Sequence, residues 1–404
     1  MYRDKLLYIS LGFIIAVSII LLIWGVYKKK AVSKVDKKKS NTVVVTSKTL
    51  DRNITGLRVY KPEKCYHGYT LFMHNSGERG LENIFDPVYL IDMEGNIVYQ
   101  WMIEDTTGTH VQLKPNGHLM YNTLRRSSKS GLRELDLQSN VLWFYPGIME
   151  HDFQMIDDNT FIIDRYEIKE KPKYNDEPYI CPRIEIIDCD KNVLWQWKGE
   201  EHVKEIRKLI EYRIIAKGDW AHNNTARMLG VSKLSEKDDR FRKENIIFSF
   251  PHQSLVGIID YTSGKVVWVL NPGLLMGQHS PTMLPEGTIL IFDNGGGRGW
   301  SRIIKVDPIE EEIVWEYHAE PKENFFSNIW SSATQLPNGN ILVCEGTKNR
   351  IFEITPEGEI VWDYISTLYK ESGSFGIYTA YRYSPEYVKP VLQAKEKMSK
   401  QLNI

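Results

Sequence analysis

Residues 351–364 read IFEITPEGEIVWDY. Apolar side chains alternate up to a P-E-G turn, resume after it and end on a tryptophan, which is the pattern of a β-hairpin with one buried face. The same unit recurs as YLIDMEGNIVYQW from Tyr89, RELDLQSNVLWFY from Arg133, IEIIDCDKNVLWQW from Ile184, VGIIDYTSGKVVWVL from Val256 and IIKVDPIEEEIVWEY from Ile303. The aligned aromatic stands at Tyr99, Trp143, Trp195, Trp268, Trp315 and Trp362, with successive gaps of 44, 52, 73, 47 and 47 residues. A second pattern falls between these units: VQLKPNGHLMYN at 111–122, FQMIDDNTFIID at 153–164, TMLPEGTILIFD at 282–293 and TQLPNGNILVCE at 334–345. Two hairpins per cycle at this period describe a four-stranded propeller blade. The expected fold is therefore all-β, a six-bladed β-propeller over residues 57–385. A β-sandwich with coincidental turns is the competing architecture, and six in-register copies argue against it.

Working outward, the long fourth cycle holds a charged stretch of helical spacing at about 200–217, expected as an insertion between blades. Residues 386–404 follow Pro385 and predict a C-terminal helix. At the other end a short flank, residues 1–5, precedes Leu6–Tyr27, which is 22 residues without a charge. That is long enough to cross a bilayer as a helix, and no short apolar region with a small-residue cleavage site marks it as a removable signal. Residues 6–27 are expected to be a single-pass transmembrane anchor that ties the protein to a membrane. Residues 28–56 are basic and polar without periodicity and predict a tether.

Residues 1–50 carry ten Lys or Arg and only two acids; removing them from chain totals of 51 basic and 52 acidic residues leaves 41 against 50, a net of −9. So acidic a body lacks the clustered basic face that nucleic acid requires, and no nucleic-acid partner is expected. The lysines at positions 28–30, 34 and 37–39 would, by the positive-inside rule, place the body in the cytoplasm. Four cysteines without a C-x-x-C make neither a disulfide scaffold nor a zinc or redox site. Cys181 and Cys189 are read either as a bridge or as two strand thiols. GGGRG at Gly295–Gly299 lacks the lysine and helix of a phosphate loop, and no G-x-S-x-G elbow exists.

A propeller presents the start of each innermost strand to its central channel. Here those positions carry His110, His151, His222 and His279, with Ser331 and Ser332 in the sixth cycle. One such histidine is an ordinary structural residue; four on one axis point to a functional cluster. Imidazole serves as nucleophile, general acid or base, or metal ligand. No metal ligand set is assigned, although a metal-dependent enzyme using these four histidines stays open beside a non-catalytic, membrane-tethered binding or scaffolding module.

DWAHNNT at 219–225, HQSLVGI at 252–258, GQHSPTML at 277–284, IFDNGGGR at 291–298 with SRIIKVD at 301–307, and EHDFQM at 150–155 together resemble the bacterial arylsulfate sulfotransferase family. The resemblance runs through most of residues 65–385. It implies a six-bladed propeller enzyme that needs no phosphoadenosyl-phosphosulfate and no other cofactor. Such an enzyme moves a sulfuryl group from an aryl sulfate donor to a phenolic acceptor through a sulfohistidine, with ping-pong kinetics. It implies His279 as nucleophile, His222 and Asn224 as holders of the sulfuryl oxygens, and His151 for acid–base or charge-stabilising work. The family carries an arginine immediately before the H-Q pair, where this chain has Pro251. Arg298, Arg302 and His252 are the expected substitutes, with His110 as a further substrate contact. The family's disulfide has no cysteines to match it here. The resemblance implies a propeller on the extracytoplasmic side of the membrane, against the lysine run, and that side is the expectation.

Overall fold

The computed structural model describes residues 42–48, 54–75, 85–104, 110–123, 130–169, 179–209, 218–270, 272–368 and 376–402. Its strands form six separate sheets, each built on four antiparallel strands, so the all-β six-bladed propeller is what the chain adopts. Blades 2 to 6 begin with the innermost strands Val111–Leu113, Met149–Met155, Thr225–Met228, His279–Met283 and Ser332–Gln335. Blade 1 is composite. Its innermost strand is Gly376–Tyr383, from the far end of the chain, paired antiparallel with Tyr69–Asn75. This closes the ring with backbone hydrogen bonds and leaves no open edge between the first and last blades.

Alternation along each strand explains the core. Leu71 and Met73 pack toward blade 2, whereas Phe72 between them packs toward blade 6. Successive side chains of a strand point to opposite faces, and both faces of a blade are covered by neighbours. The apolar interior is accordingly six clusters, one between each pair of adjacent blades.

The repeated aspartate and aromatic have defined jobs. Asp92 Oδ1 accepts from the N–H groups of Glu94 and Asn96, Asp136 from Gln138 and Asn140, and Asp307 from Ile309 and Glu310, so each carboxylate holds its own hairpin turn. The turn carbonyl one residue later then accepts from the aligned aromatic of the preceding blade. Trp143 Nε1–H reaches Cys189 O at 2.7 Å, Trp195 reaches Tyr261 O at 3.0 Å and Trp268 reaches Pro308 O at 3.0 Å. Trp315 donates to Pro356 O at 2.9 Å, Trp362 to Met93 O at 2.8 Å, and the Tyr99 hydroxyl to Leu137 O. Six latches thus run once around the ring, and the Trp362 latch joins blade 6 to blade 1.

Two expectations for the flanks change. Residues 28–56 do not serve only as a tether: Val43–Lys48 adds a fifth strand to blade 5, parallel to Glu312–Glu320, because a run of β-branched residues finds an open outer edge there. Gly56–Tyr60 likewise adds to blade 6. The insertion contains the helix Gly199–Leu209, and the C-terminal helix spans Pro385–Leu402. The anchor expected at Leu6–Tyr27 lies outside the described residues; among those described, no helix is long and apolar enough to cross a membrane. All four cysteines are free, so the Cys181–Cys189 bridge is not formed.

Candidate active site

The innermost strands are irregular where the candidate residues sit. Register shifts separate Met149 from Phe153, His279 from Thr282 and Ile377 from Ala380; His151 and Tyr378 fall inside two of them, and His279, paired with Phe292, stands at the edge of the third. Bulges of this kind re-aim a side chain that regular pairing would hold on a blade face. His222 and Ser280 have left-handed backbone, at φ 49° and 55°, a conformation non-glycine residues rarely hold.

His279 is buried, and its Nδ1 lies 2.8 Å from Asn294 Oδ1 and 3.2 Å from Gly277 O. The Asn294 amide nitrogen donates to Ser327 O and Trp330 O, which fixes its oxygen toward the imidazole. Both partners of Nδ1 are therefore acceptors, Nδ1 carries the proton and Nε2 carries the lone pair. Burial pushes the pKa of His279 down to about 4 against the opposing pull of the Asn294 bond, so the ring is neutral at pH 7.

His222 sits on Asp219. Its backbone N–H donates to Oδ1 at 3.0 Å and its Nδ1–H to Oδ2 at 2.5 Å. Burial opposes its charge, but the Asp219 hydrogen bond and the nearby Glu150 and Asp219 carboxylates hold its pKa above the usual histidine value. The ring stacks on His252 at 4.5 Å between centroids, and its Nε2 lies 3.0 Å from His151 Nε2. Burial, with His222 next, drives His151 well below the ordinary value. One proton lies between the two facing nitrogens. Asn224 donates to Gln278 O and is buried beside Thr225.

Tyr378 connects these groups, and the sequence reading missed it. Its ring stacks on His151 at 5.3 Å, meets His279 edge-on at 6.1 Å and sends its hydroxyl to Asn224 O at 3.3 Å. Two further residues were overlooked. Glu150 is buried beside His151, its Oε2 at 3.7 Å from His151 Nε2. Arg227, on the innermost strand of blade 4, pairs with Asp152 at 3.0 Å and reaches Thr282 Oγ1 at 3.1 Å. Asn294, Glu150 and Arg227 all fall inside or beside quoted motifs, so an arginine in an otherwise small and apolar inner strand was a usable signal.

The other expected contacts are placed differently. His110 is fully buried, its Nε2 bonded to the Tyr381 hydroxyl at 2.8 Å and its Nδ1 3.1 Å from Asp152 Oδ1. It belongs to a polar layer with Arg227 and Asp152, and burial lowers its pKa to about 4. The Arg298 and Arg302 guanidinium groups are committed to Asp293, Glu316 and the carbonyls of Leu274, Asp293 and Trp300. They brace the loop that carries Asn294. His252 donates from Nδ1 to Asp219 O and stays exposed beside His222. Among the described residues, His151 and His222 share one potential ligand group with Glu150, and a second is Asp219, His222 and His252; His110 and His279 belong to neither. Asn223 is buried, and its side-chain amide donates to Asp164 Oδ1 at 2.6 Å.

Fold and site together give a six-bladed propeller with a buried neutral histidine, His279, near the linked imidazoles of His151, His222 and His252. A family model described as Arylsulfotransferase (ASST) matches residues 121–367, and the chain belongs to that family. Membership indicates sulfuryl transfer as the general activity, with aryl sulfates and phenols as the substrate classes. No curated protein matches the chain. Among solved structures, a Bacteroides caccae protein of unknown function is 14% identical with a TM-score of 0.48, over 78% of this chain and 98% of its own. A putative 6-phosphogluconolactonase from Bacteroides fragilis is 10% identical with a TM-score of 0.42, over 80% and 100%. Similarity this low carries no argument about function.

Proposed function

We propose that the protein moves a sulfuryl group from a phenolic sulfate ester to a phenol through a sulfohistidine at His279. The observation that supports this most is the clamp on Nδ1 by Asn294 and Gly277, which leaves Nε2 as a neutral nucleophile. In the first half-reaction the Nε2 lone pair attacks sulfur. The sulfur–oxygen bond to the aryl group breaks, and the departing phenolate takes up the proton held between His151 and His222. In the second, the acceptor phenol returns that proton and its oxygen attacks sulfur. The nitrogen–sulfur bond breaks and the electron pair returns to Nε2. His222 and Asn224 grip the sulfuryl oxygens; a donor so placed is typically worth about 3 kcal/mol.

Pro251, buried where the resembling family has arginine, favours a second reading, a tethered propeller that binds without turning over. The propeller is proposed to work outside the cytoplasm, held by Leu6–Tyr27. The test is steady-state kinetics of the full chain with a chromogenic aryl sulfate and varied phenol, without nucleotide. Parallel double-reciprocal lines are expected. A requirement for a nucleotide donor, or intersecting lines, overturns the scheme.

A further inference from the structure

We propose that Trp330, flanked by Ile329 and Met276, is the wall against which the aryl ring of donor and acceptor stacks, so that preference for aromatic over aliphatic substrates is set beside blade 6. The segment that carries Trp330 is pinned between the two groups that touch His279. Trp330 O accepts from the Asn294 amide at 2.9 Å, and the next N–H, that of Ser331, donates to Tyr378 O at 3.1 Å. Asn294 Oδ1 in turn accepts from His279 Nδ1, and the Tyr378 ring meets the His279 ring edge-on. A single side chain, Asn294, therefore links the Trp330 backbone to the His279 imidazole.

The backbone here is strained. Trp330 and Ser331 have φ of 57° and 85°, two left-handed residues in succession, which is costly for a bulky aromatic. Such conformations persist where the surroundings enforce them, and they cluster at ligand clamps. The enforcement is the pair of bonds just named, with Ser331 Oγ also donating to Ser327 Oγ and accepting from Gly346 N–H. Glycine would hold this turn without strain, yet the chain carries tryptophan. The rim beside it is apolar: Ile329 is 43% exposed, and Met276, three residues before His279, is 39% exposed. Toward blades 3 and 4 the groups are instead polar, with His151, His222, Asp219 and Glu150 in contact. In the transfer reaction proposed above, on which this role rests, the polar half holds the sulfuryl oxygens and moves the proton. An aryl ester bends at its bridging oxygen, and the apolar half takes its ring. An indole face receives such a ring by offset stacking, and the exposed aliphatic side chains shed water as it arrives.

The test is equilibrium binding of β-naphthol to the full chain, followed by its fluorescence, together with steady-state kinetics on β-naphthyl sulfate. Saturable binding is expected in the parent and in His279→Ala alike. Trp330→Gly should weaken it, and raise KM, at least about tenfold, whereas Trp330→Phe stays within about threefold because a ring remains. Ile329→Ser, an exposed change that does not endanger the fold, should weaken binding about threefold. No saturable binding by the parent overturns the wall, as does unchanged naphthol affinity in Trp330→Gly. A fall in kcat alone, with KM and affinity as in the parent, also overturns it, since a purely structural brace on Asn294 would give that result. Naphthol binding that depends on Trp330 in a chain whose His279 never takes up sulfuryl sustains the wall and sinks the transfer scheme; sulfuryl uptake with a naphthol affinity indifferent to Trp330 does the reverse.

Discussion

Replacing Trp362 with phenylalanine should loosen the seam at which the propeller closes. The indole is fully buried, and its N–H donates to Met93 O across the boundary between blades 6 and 1. Phenylalanine keeps an aromatic ring near Tyr364 and Arg382 but removes the donor. Losing a buried hydrogen bond and leaving a carbonyl without its partner costs about 1–3 kcal/mol. Adding the smaller ring's lost contacts brings the expected loss to about 2–3 kcal/mol. At this chain size about 2 °C of melting temperature corresponds to each kcal/mol, so Trp362→Phe should melt about 4–6 °C below the parent. Trp143→Phe provides the comparison, because its bond to Cys189 O is exposed and water can take the vacated position. Differential scanning calorimetry of both variants should show a shift for Trp143→Phe of about 1 °C or less. Equal shifts, or a Trp362→Phe melt within about 1 °C of the parent, would refute the view that the aromatic latches hold the ring shut.

Asn294→Leu should lower kcat about tenfold with little change in KM, since it frees His279 to adopt the unreactive tautomer; an unchanged kcat contradicts the clamp. Arg227→Met should destabilise the fold by about 3–5 kcal/mol in denaturant titrations by stranding the Asp152 carboxylate, and Arg227→Met with Asp152→Leu should recover most of it; a double variant as unstable as the single would show that the pair is not the cause. Buried His74 and His110 both have pKa values lowered to about 4 by burial, below the unfolded value of about 6.5. The unfolded chain therefore protonates first. Stability is full above about pH 6.5 and falls as pH drops toward 4, by at most about 3 kcal/mol per histidine. Thermal melts that stay level between pH 7 and pH 4.5 would contradict this.

Much of the ring was legible because each blade repeats one physical solution. The turn aspartate, the alternating strands and the latch aromatic are local, and their spacing survives insertions such as Gly199–Leu209. The closing strand Gly376–Tyr383 was not legible, because its partner Tyr69–Asn75 lies about 300 residues away and no hairpin turn announces the pairing. Tyr378 went unseen with it. Strand Val43–Lys48 was hidden by the lysines before it, and it gains order only from the free edge of blade 5. Within the site, His151, His222 and His279 stand out at equivalent blade starts. What distinguishes them chemically is supplied by Asn294, Asp219 and Glu150, and which of these meets which ring depends on bulges that periodicity does not encode. His110 shares the same sequence position yet is fully enclosed by Phe153, Tyr381 and Asp152, so position in the repeat does not by itself confer access to substrate.

The central claim is that His279 Nε2 carries the sulfuryl group. Incubating the full chain with an aryl sulfate in the absence of acceptor, quenching without acid and mapping peptides by mass spectrometry tests it directly. The account predicts one sulfuryl adduct, located on His279, that is discharged when a phenol is added and never forms in His279→Ala. An aryl sulfate consumed with no adduct on His279, or turned over equally by His279→Ala, would contradict it.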